Sequence, residues 1–167
     1  MRDRLTREDI AKMEKEIEER KLKLRPELIE AVKEARAQGD LSENFEYYAA
    51  KREKNQNESR IRYLENMVKT AVIVEDRGGD DEVTMNRPVE VYFPDDDETE
   101  TFRIVTTIRG NSLKGLISID SPLGKALLHK KAGDRVHVRV NDSVGYDVQI
   151  RSIGQKVDET EDEIRKF

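Results

Sequence analysis

The sequence predicts an α+β protein, in which an antiparallel coiled-coil hairpin of two long helices precedes a small domain of strands with one helix. Three observations support this. Up to about Thr70 the apolar residues recur at helical separations, and beyond it they alternate as in strands. The charged fraction of 40 %, against 5 % aromatic, is too polar for one large core across 167 residues. The chain is therefore read as a hairpin over residues 1–76 with its tip at 39–44, and a domain over 77–167 ending in an acidic tail at 155–167.

The first helix is expected from Thr6 to about Gln38. Its stripe is Ile10, Met13, Ile17, Leu24, Leu28, Val32 and Ala35, at separations of three, four or seven. Pro26 lies inside this stretch, lacks an amide donor and clashes with the preceding turn, so a kink or brief break is expected there. Gly39 to Leu41 turn the chain. The second helix is expected from Ser42 to Thr70 with the stripe Phe45, Tyr48, Ala49, Ile61, Leu64 and Val68. Folding back sets Val32 beside Tyr48, Ile17 beside Leu64 and Met13 beside Val68. The facing stretch "KREKNQNESR" puts Arg52, Asn55 and Ser59 where apolar seam residues belong, so the rod is expected to be loosest at mid-length. About 32 residues per helix give a rod on the order of 48 Å.

After Thr70 come the runs "AVIV", "VEVYF", "TFRIVTTI", "LISI", "RVHVRV" and "YDVQIRSI", separated by Gly, Asp, Asn and Pro. "EDRGGDDE" is read as the linker, and "PDDDETE" as a solvated hairpin turn, since it lacks the ligand order of a calcium loop. The helix lies in "SPLGKALLHKKAGD", with Ser121 as N-cap, Pro122 at the first helical position and Gly133 beyond the end. The tail "QKVDETEDEIRKF" reads as a short helix or a disordered extension.

Composition narrows the function. A net charge of -5 with evenly mixed signs argues against a general nucleic-acid binder. There is no cysteine, which excludes disulfides and thiolate metal sites. The start "MRDRLTREDI" has no apolar signal core, and no run approaches the roughly 18 residues of a membrane span, so a cytoplasmic protein without membrane contact is expected. His129 and His137 have no partner spacing for a metal and are read as surface or strand residues.

The stretch "GDLSENFEYY" at 39–48 admits two readings. Asp40-Leu41-Ser42-Glu43 fits a capping box with Asp40 as N-cap and Glu43 three residues on, after Gly39 ends the first helix in a left-handed conformation. Alternatively the two carboxylates complete a metal site elsewhere, delivered by the rod, with Leu41 packing on an apolar wall of the host. Arg36, Lys51 and Arg52 lie near the tip as possible phosphate contacts or as ordinary solvated helix charges. Tyr47 and Tyr48 cannot both face the seam.

"EARAQGDLSENFEYYAAK" resembles the tip of the bacterial Gre transcript-cleavage factors, whose usual pattern is close to EAR-x-x-GDL-x-EN-x-EY-x-AA. "SPLGKALLHKKAGDRV" resembles their C-terminal signature, "RPE" at 25–27 matches a third element, and the likeness, closest to the GreA branch, covers roughly Leu5 to Ile153. The resemblance implies a coiled coil that enters the secondary channel of RNA polymerase and an FKBP-like domain that docks at its rim through Ser121, Pro122, Leu123 and Gly124. It further implies that Asp40 and Glu43 help hold a Mg²⁺ shared with the polymerase, the chain having no cofactor of its own. Leu41, Ser42 and Asn44 would support the tip, and Arg36 and Lys51 would contact phosphates at the RNA 3′ end. The implied activity is that of a monomeric accessory factor, stimulating the polymerase's own cleavage of RNA in backtracked complexes. Leu24, Phe45, Tyr48 and His129 depart from frequent family residues, polar, Ala, His and Gly respectively. A channel-binding paralogue that inhibits without cleavage is the alternative. A prolyl isomerase is a third reading, weakened because Tyr92, Phe93, Phe102 and Tyr146 are few aromatics for a proline pocket.

Overall fold

The computed structural model describes residues 3–39, 44–158 and 162–164. The chain forms two units, one built on Arg7–Ala71, the other on Arg4–Thr6 together with the chain from Val72 onward. The division falls at Ala71/Val72, ahead of the boundary read at 76/77.

In the first unit α1 (Arg7–Glu19) runs into a π-helical turn (Arg20–Leu24) and then α2 (Arg25–Ala37), and α3 (Phe45–Thr70) packs back against all three. The expected disturbance at Pro26 takes the form of this π turn. In an α-ladder Pro26 would have to donate an N–H to Leu22, which it cannot do. Instead Arg25 donates to the carbonyl of Arg20, five residues back, and Pro26 falls in the first turn of α2, where a missing donor costs nothing.

The first stripe packs as read: Met13, Leu28 and Ala35 are buried, and Ile10, Ile17, Leu24 and Val32 half-buried. The second stripe is out of phase at its tip end. Tyr47, Asn57, Arg60, Ile61, Leu64 and Met67 are the buried residues of α3, whereas Phe45 is 85 % and Tyr48 49 % exposed and Ala49 is exposed. The Val32 to Tyr48 pairing is thereby replaced by a seam through Tyr47. Arg52 and Asn55 are exposed and lie with Tyr48 and the half-buried Ser59 along one outer face of α3, outside the seam.

Mid-length is polar but tied. Glu16 accepts from Arg20 at 2.8 Å and from Arg60 at 2.8 Å; Arg20 donates at 2.9 Å to Asn57 Oδ1, and Asn57 Nδ2 donates at 3.3 Å to the Arg20 carbonyl. Arg25 grips Glu58 with two bonds of 2.7 and 2.8 Å. These groups replace apolar packing with directional bonds, which fix register more strictly than leucines do. The expectation of a loose middle is therefore revised: this stretch is bonded across the seam.

The second unit holds a five-stranded sheet in the order β5-β4-β3-β7-β6, formed by β3 (Pro88–Phe93), β4 (Glu98–Val105), β5 (Leu116–Ser118), β6 (Arg135–Arg139) and β7 (Gly145–Ile153). All pairs are antiparallel except β4 with β5. Alternation puts Val89, Val91, Val136, Val138, Val148 and Ile150 on one face with Ile104 and Leu127. The "PDDDETE" stretch makes the expected hairpin turn, closed by Tyr92 donating at 2.7 Å to Asp97, whose φ is +50°. A two-residue parallel pair, β1 (Arg4–Leu5) with β2 (Val72–Ile73), completes the unit.

Two expectations are corrected here, for the linker and for the tail. "EDRGGDDE" is not a bare linker: Asp76 accepts the Met85 N–H at 2.9 Å, and Val83, fully buried, donates to the Lys130 carbonyl at 2.8 Å. The helix α4 (Pro122–Leu127) follows its reading, with Ser121 as N-cap, Pro122 at the first helical position and Gly133 beyond the end; His129, two residues past it, has φ +67°. The described residues of the tail are neither helical nor detached: Val157 donates to the Asn86 carbonyl at 2.6 Å, and Asp162 accepts from Arg103 at 2.6 Å.

Candidate functional site

The tip of the hairpin is built by two helix ends. The last turn of α2 closes with Gln38 donating to the Ala35 carbonyl at 3.3 Å, and Gly39 follows at φ +132°, an angle that a side chain strongly disfavours. Residues 40–43, and with them Asp40, Leu41, Ser42 and Glu43, lie outside the described residues. The chain resumes at Asn44, which is the N-cap of α3: its Oδ1 accepts the Tyr47 N–H at 2.9 Å. The cap position read for Asp40 thus belongs to Asn44. Its Nδ2 simultaneously donates at 2.6 Å to the Ala35 carbonyl. One side chain therefore satisfies an orphan amide of α3 and a terminal carbonyl of α2, tying the end of one helix to the start of the next.

One turn into α3 sits the buried ring of Tyr47. Arg36 from α2 stands 5.6 Å and Lys51 from α3 6.0 Å from the ring centroid, and Arg36 Nη2 donates to the Tyr47 hydroxyl at 3.4 Å. Both distances are within the range where a cation is attracted by the ring quadrupole. The hydrogen bond from Arg36 holds the Tyr47 hydroxyl below the ordinary tyrosine pKa, against the opposing effect of burial, with the charge of Lys51 adding to it. Tyr48 meets the same ring edge-on at 5.4 Å and presents its other side to solvent along the outer face with Lys51 and Arg52. The arrangement gathers two cations and an exposed aromatic beside the tip, a combination able to receive a phosphate and an unpaired base.

The sequence marks Arg36, Lys51 and Asn44 but shows neither that Tyr47 unites the two cations nor that Asn44 bridges the helix ends. The signal for Asn44 was present, since Asn is among the strongest N-caps. The adjacent Asp40 and Glu43 box masked it.

The second candidate region is the start of α4. Ser121 Oγ accepts the Gly124 N–H at 3.0 Å and donates to the Ser118 carbonyl at 2.6 Å. A Cβ on Gly124 would stand 2.1 Å from the Ser118 carbonyl oxygen, so only glycine fits. Leu123 packs on the sheet core, and Pro122 is exposed. Three of these four residues thus have a folding reason to be there, and Pro122 is the one that faces solvent.

His129 lies 3.5 Å from Glu82, and His137 bonds Asp147 at 2.8 Å; both are exposed. Phe93 meets the rings of Phe102 and Tyr146 at 6.0 and 6.2 Å between centroids, and all three pack against the core, while Tyr92 carries Arg151 over its ring at 4.4 Å. Among the described residues no group of three or more His, Cys, Asp or Glu side chains is placed to hold a metal. No described helix is long and apolar enough to cross a membrane.

Residues 4–73 match the family model of the transcription elongation factor N-terminal domain, and residues 78–155 that of the GreA/GreB C-terminal domain. The chain is 45 % identical over 141 residues to the transcription elongation factor GreA of Thermotoga maritima, covering 84 % of this chain and 90 % of that one. Identity to GreA of Staphylococcus epidermidis is 40 % over 149 residues, with 89 % and 94 % covered. Among solved structures, the GreA factor homolog 1 protein of Thermus thermophilus aligns at a TM-score of 0.43 and 25 % identity, covering 93 % of this chain and all of that one.

Proposed function

Because this chain belongs to the GreA/GreB family of transcription elongation factors, we propose that it acts on backtracked RNA polymerase and stimulates the polymerase's own cleavage of the RNA 3′ segment. The hairpin enters the secondary channel and the sheet domain docks outside through the start of α4. The factor works as a monomer in the cytoplasm. The polymerase supplies the catalytic centre, and this chain is an accessory to it.

The observation that carries the reading is the meeting of Arg36 and Lys51, from different helices, on the ring of Tyr47, within a few residues in sequence of Asp40 and Glu43. Cations alone would bind RNA without directing chemistry, and acids alone would repel it. Together they suit a tip that holds phosphates while presenting carboxylates to the scissile bond.

Asp40 and Glu43 are hard oxygen donors, the class that Mg²⁺ prefers, and two carboxylates leave most of an octahedral shell to other ligands. That fits a metal shared with the polymerase. Such a Mg²⁺ offers charge neutralisation and an activated water for phosphodiester hydrolysis. On this chain's side Asp40 and Glu43 face the reacting phosphate, Ser42 supports them, and Leu41 makes an apolar contact with the channel. Asn44 ties the last turn of α2 to the first turn of α3. With α3 capped by Asn44, the capping explanation for Asp40 loses its helix end. Phe45, which departs from the frequent family Ala, is 85 % exposed and lies outside the hairpin seam.

The test is RNA cleavage in stalled elongation complexes with the cognate polymerase, with and without this protein. Shortening of the transcript from its 3′ end only in the factor's presence is expected. Blocked elongation without cleavage would establish the inhibitory paralogue instead.

A further inference from the structure

Arg103 on β4 is half-buried and Arg109 in the 3₁₀ turn that follows is buried, with side chains 14 % and 2 % exposed. A guanidinium in such a place needs an opposite charge with good geometry. Both converge on the carboxylate of Asp162, itself 10 % exposed: Arg103 donates at 2.6 Å to Oδ1 and at 2.9 Å to Oδ2, and Arg109 at 3.4 Å to Oδ2. The two short bonds from Arg103 form the fork that recognises a carboxylate. Asp162 lies past residue 155, where the match to the family's C-terminal domain ends. A site on the family domain is thus filled from outside it.

The same arginines reach further. Arg109 donates at 3.0 Å to Thr6 Oγ1, and Arg103 at 3.2 Å to Asn86 Oδ1. The Asn86 carbonyl accepts from Val157, and one residue earlier Lys156 bonds Asp76 at 2.7 Å. Thr6 directly follows β1, Asp76 stands three residues past β2, and these strands pair with each other. The chain passes between its two units at Thr6/Arg7 and Ala71/Val72, immediately beside this pair.

We infer that Arg103 and Arg109 form a carboxylate-binding site whose ligand is Asp162 of the same chain, and that filling it straps the tail onto the domain and fixes the β1–β2 pair. The inference is independent of what the hairpin tip does. Amide hydrogen exchange of the full chain tests it, with Asp162→Asn, Arg103→Gln, the double variant, and Asp162→Glu, which keeps the charge. Exchange at residues 4–6, 72–76 and 156–158 is expected to quicken about tenfold or more in each of the two single variants, with β6 and β7 unchanged. The double variant should be no faster than the faster single one, as for two halves of one contact, and Asp162→Glu should lie closer to wild type. Unchanged exchange at those segments, a uniform rise across all strands, or additive single effects would each overturn the inference.

Discussion

Asn44 makes two bonds that no other polar side chain of its size can make together, accepting from Tyr47 and donating to the Ala35 carbonyl. Aspartate would keep the cap but lose the donor and face the carbonyl with a like partial charge. Asn44→Asp should therefore preserve the helicity of α3 while lowering maximal cleavage stimulation, whereas Asn44→Ala should also cost about 1 kcal/mol of hairpin stability. Circular dichroism melts alongside a cleavage assay separate the two. At the neighbouring cluster, the cations that share the Tyr47 ring should act on RNA through charge. Arg36→Ala or Lys51→Ala should reduce stimulation most at low salt, with the salt slope of RNA-dependent affinity falling by about 0.7 per lost contact. A loss equal at every salt concentration would indicate damaged packing. The sequence showed the acids and cations plainly, since they carry a long motif. It did not show Tyr47, because two adjacent tyrosines are equally apolar and only the helical phase chooses between them.

That phase is set at the level of the helices. From Ile61 back to Tyr47 the seam passes through Asn57 and a polar stretch without an apolar marker, so periodicity had nothing to anchor on. The π turn ahead of Pro26 also inserts an extra residue into the partner helix, which a regular repeat cannot anticipate. What sits there instead is charge, and charge gives a pH dependence. Burial would raise the pKa of Glu16, but bonds from Arg60 and then Arg20 outweigh it and bring the value below the ordinary 4.5. A carboxylate depressed in the folded state stabilises fully above its unfolded value and loses that contribution as pH falls through the folded one. The melting temperature of the hairpin should thus drop as pH is lowered below about 4.5, and Glu16→Gln, already lacking the charge, should show a flatter profile. An unchanged slope in that variant would remove Glu16 as the source.

For the whole molecule, the strands, the single capped helix and the long helical hairpin were legible because each repeats a period or a cap. The strand pair β1–β2, the folding of "EDRGGDDE" onto the domain and the anchoring of the tail were not. They rest on isolated backbone bonds and buried ion pairs between distant residues, such as Asp76 with Met85 and Asp162 with Arg103, which leave no periodic trace. A fragment starting near Gly78 would lack Asp76, Thr6 and β1, so a cut at Ala71 that retains Arg4–Thr6 in trans is the better dissection. The central claim remains that the acids of the tip serve chemistry and not folding. Asparagine caps nearly as well as aspartate, and the cap of α3 is Asn44 in any case, so Asp40→Asn carries no expected folding penalty. The decisive measurement is cleavage of RNA in stalled complexes by the Asp40→Asn protein, with its thermal melt recorded in parallel. The account predicts a wild-type melt with most of the stimulated cleavage lost; a wild-type melt with full stimulation would contradict it.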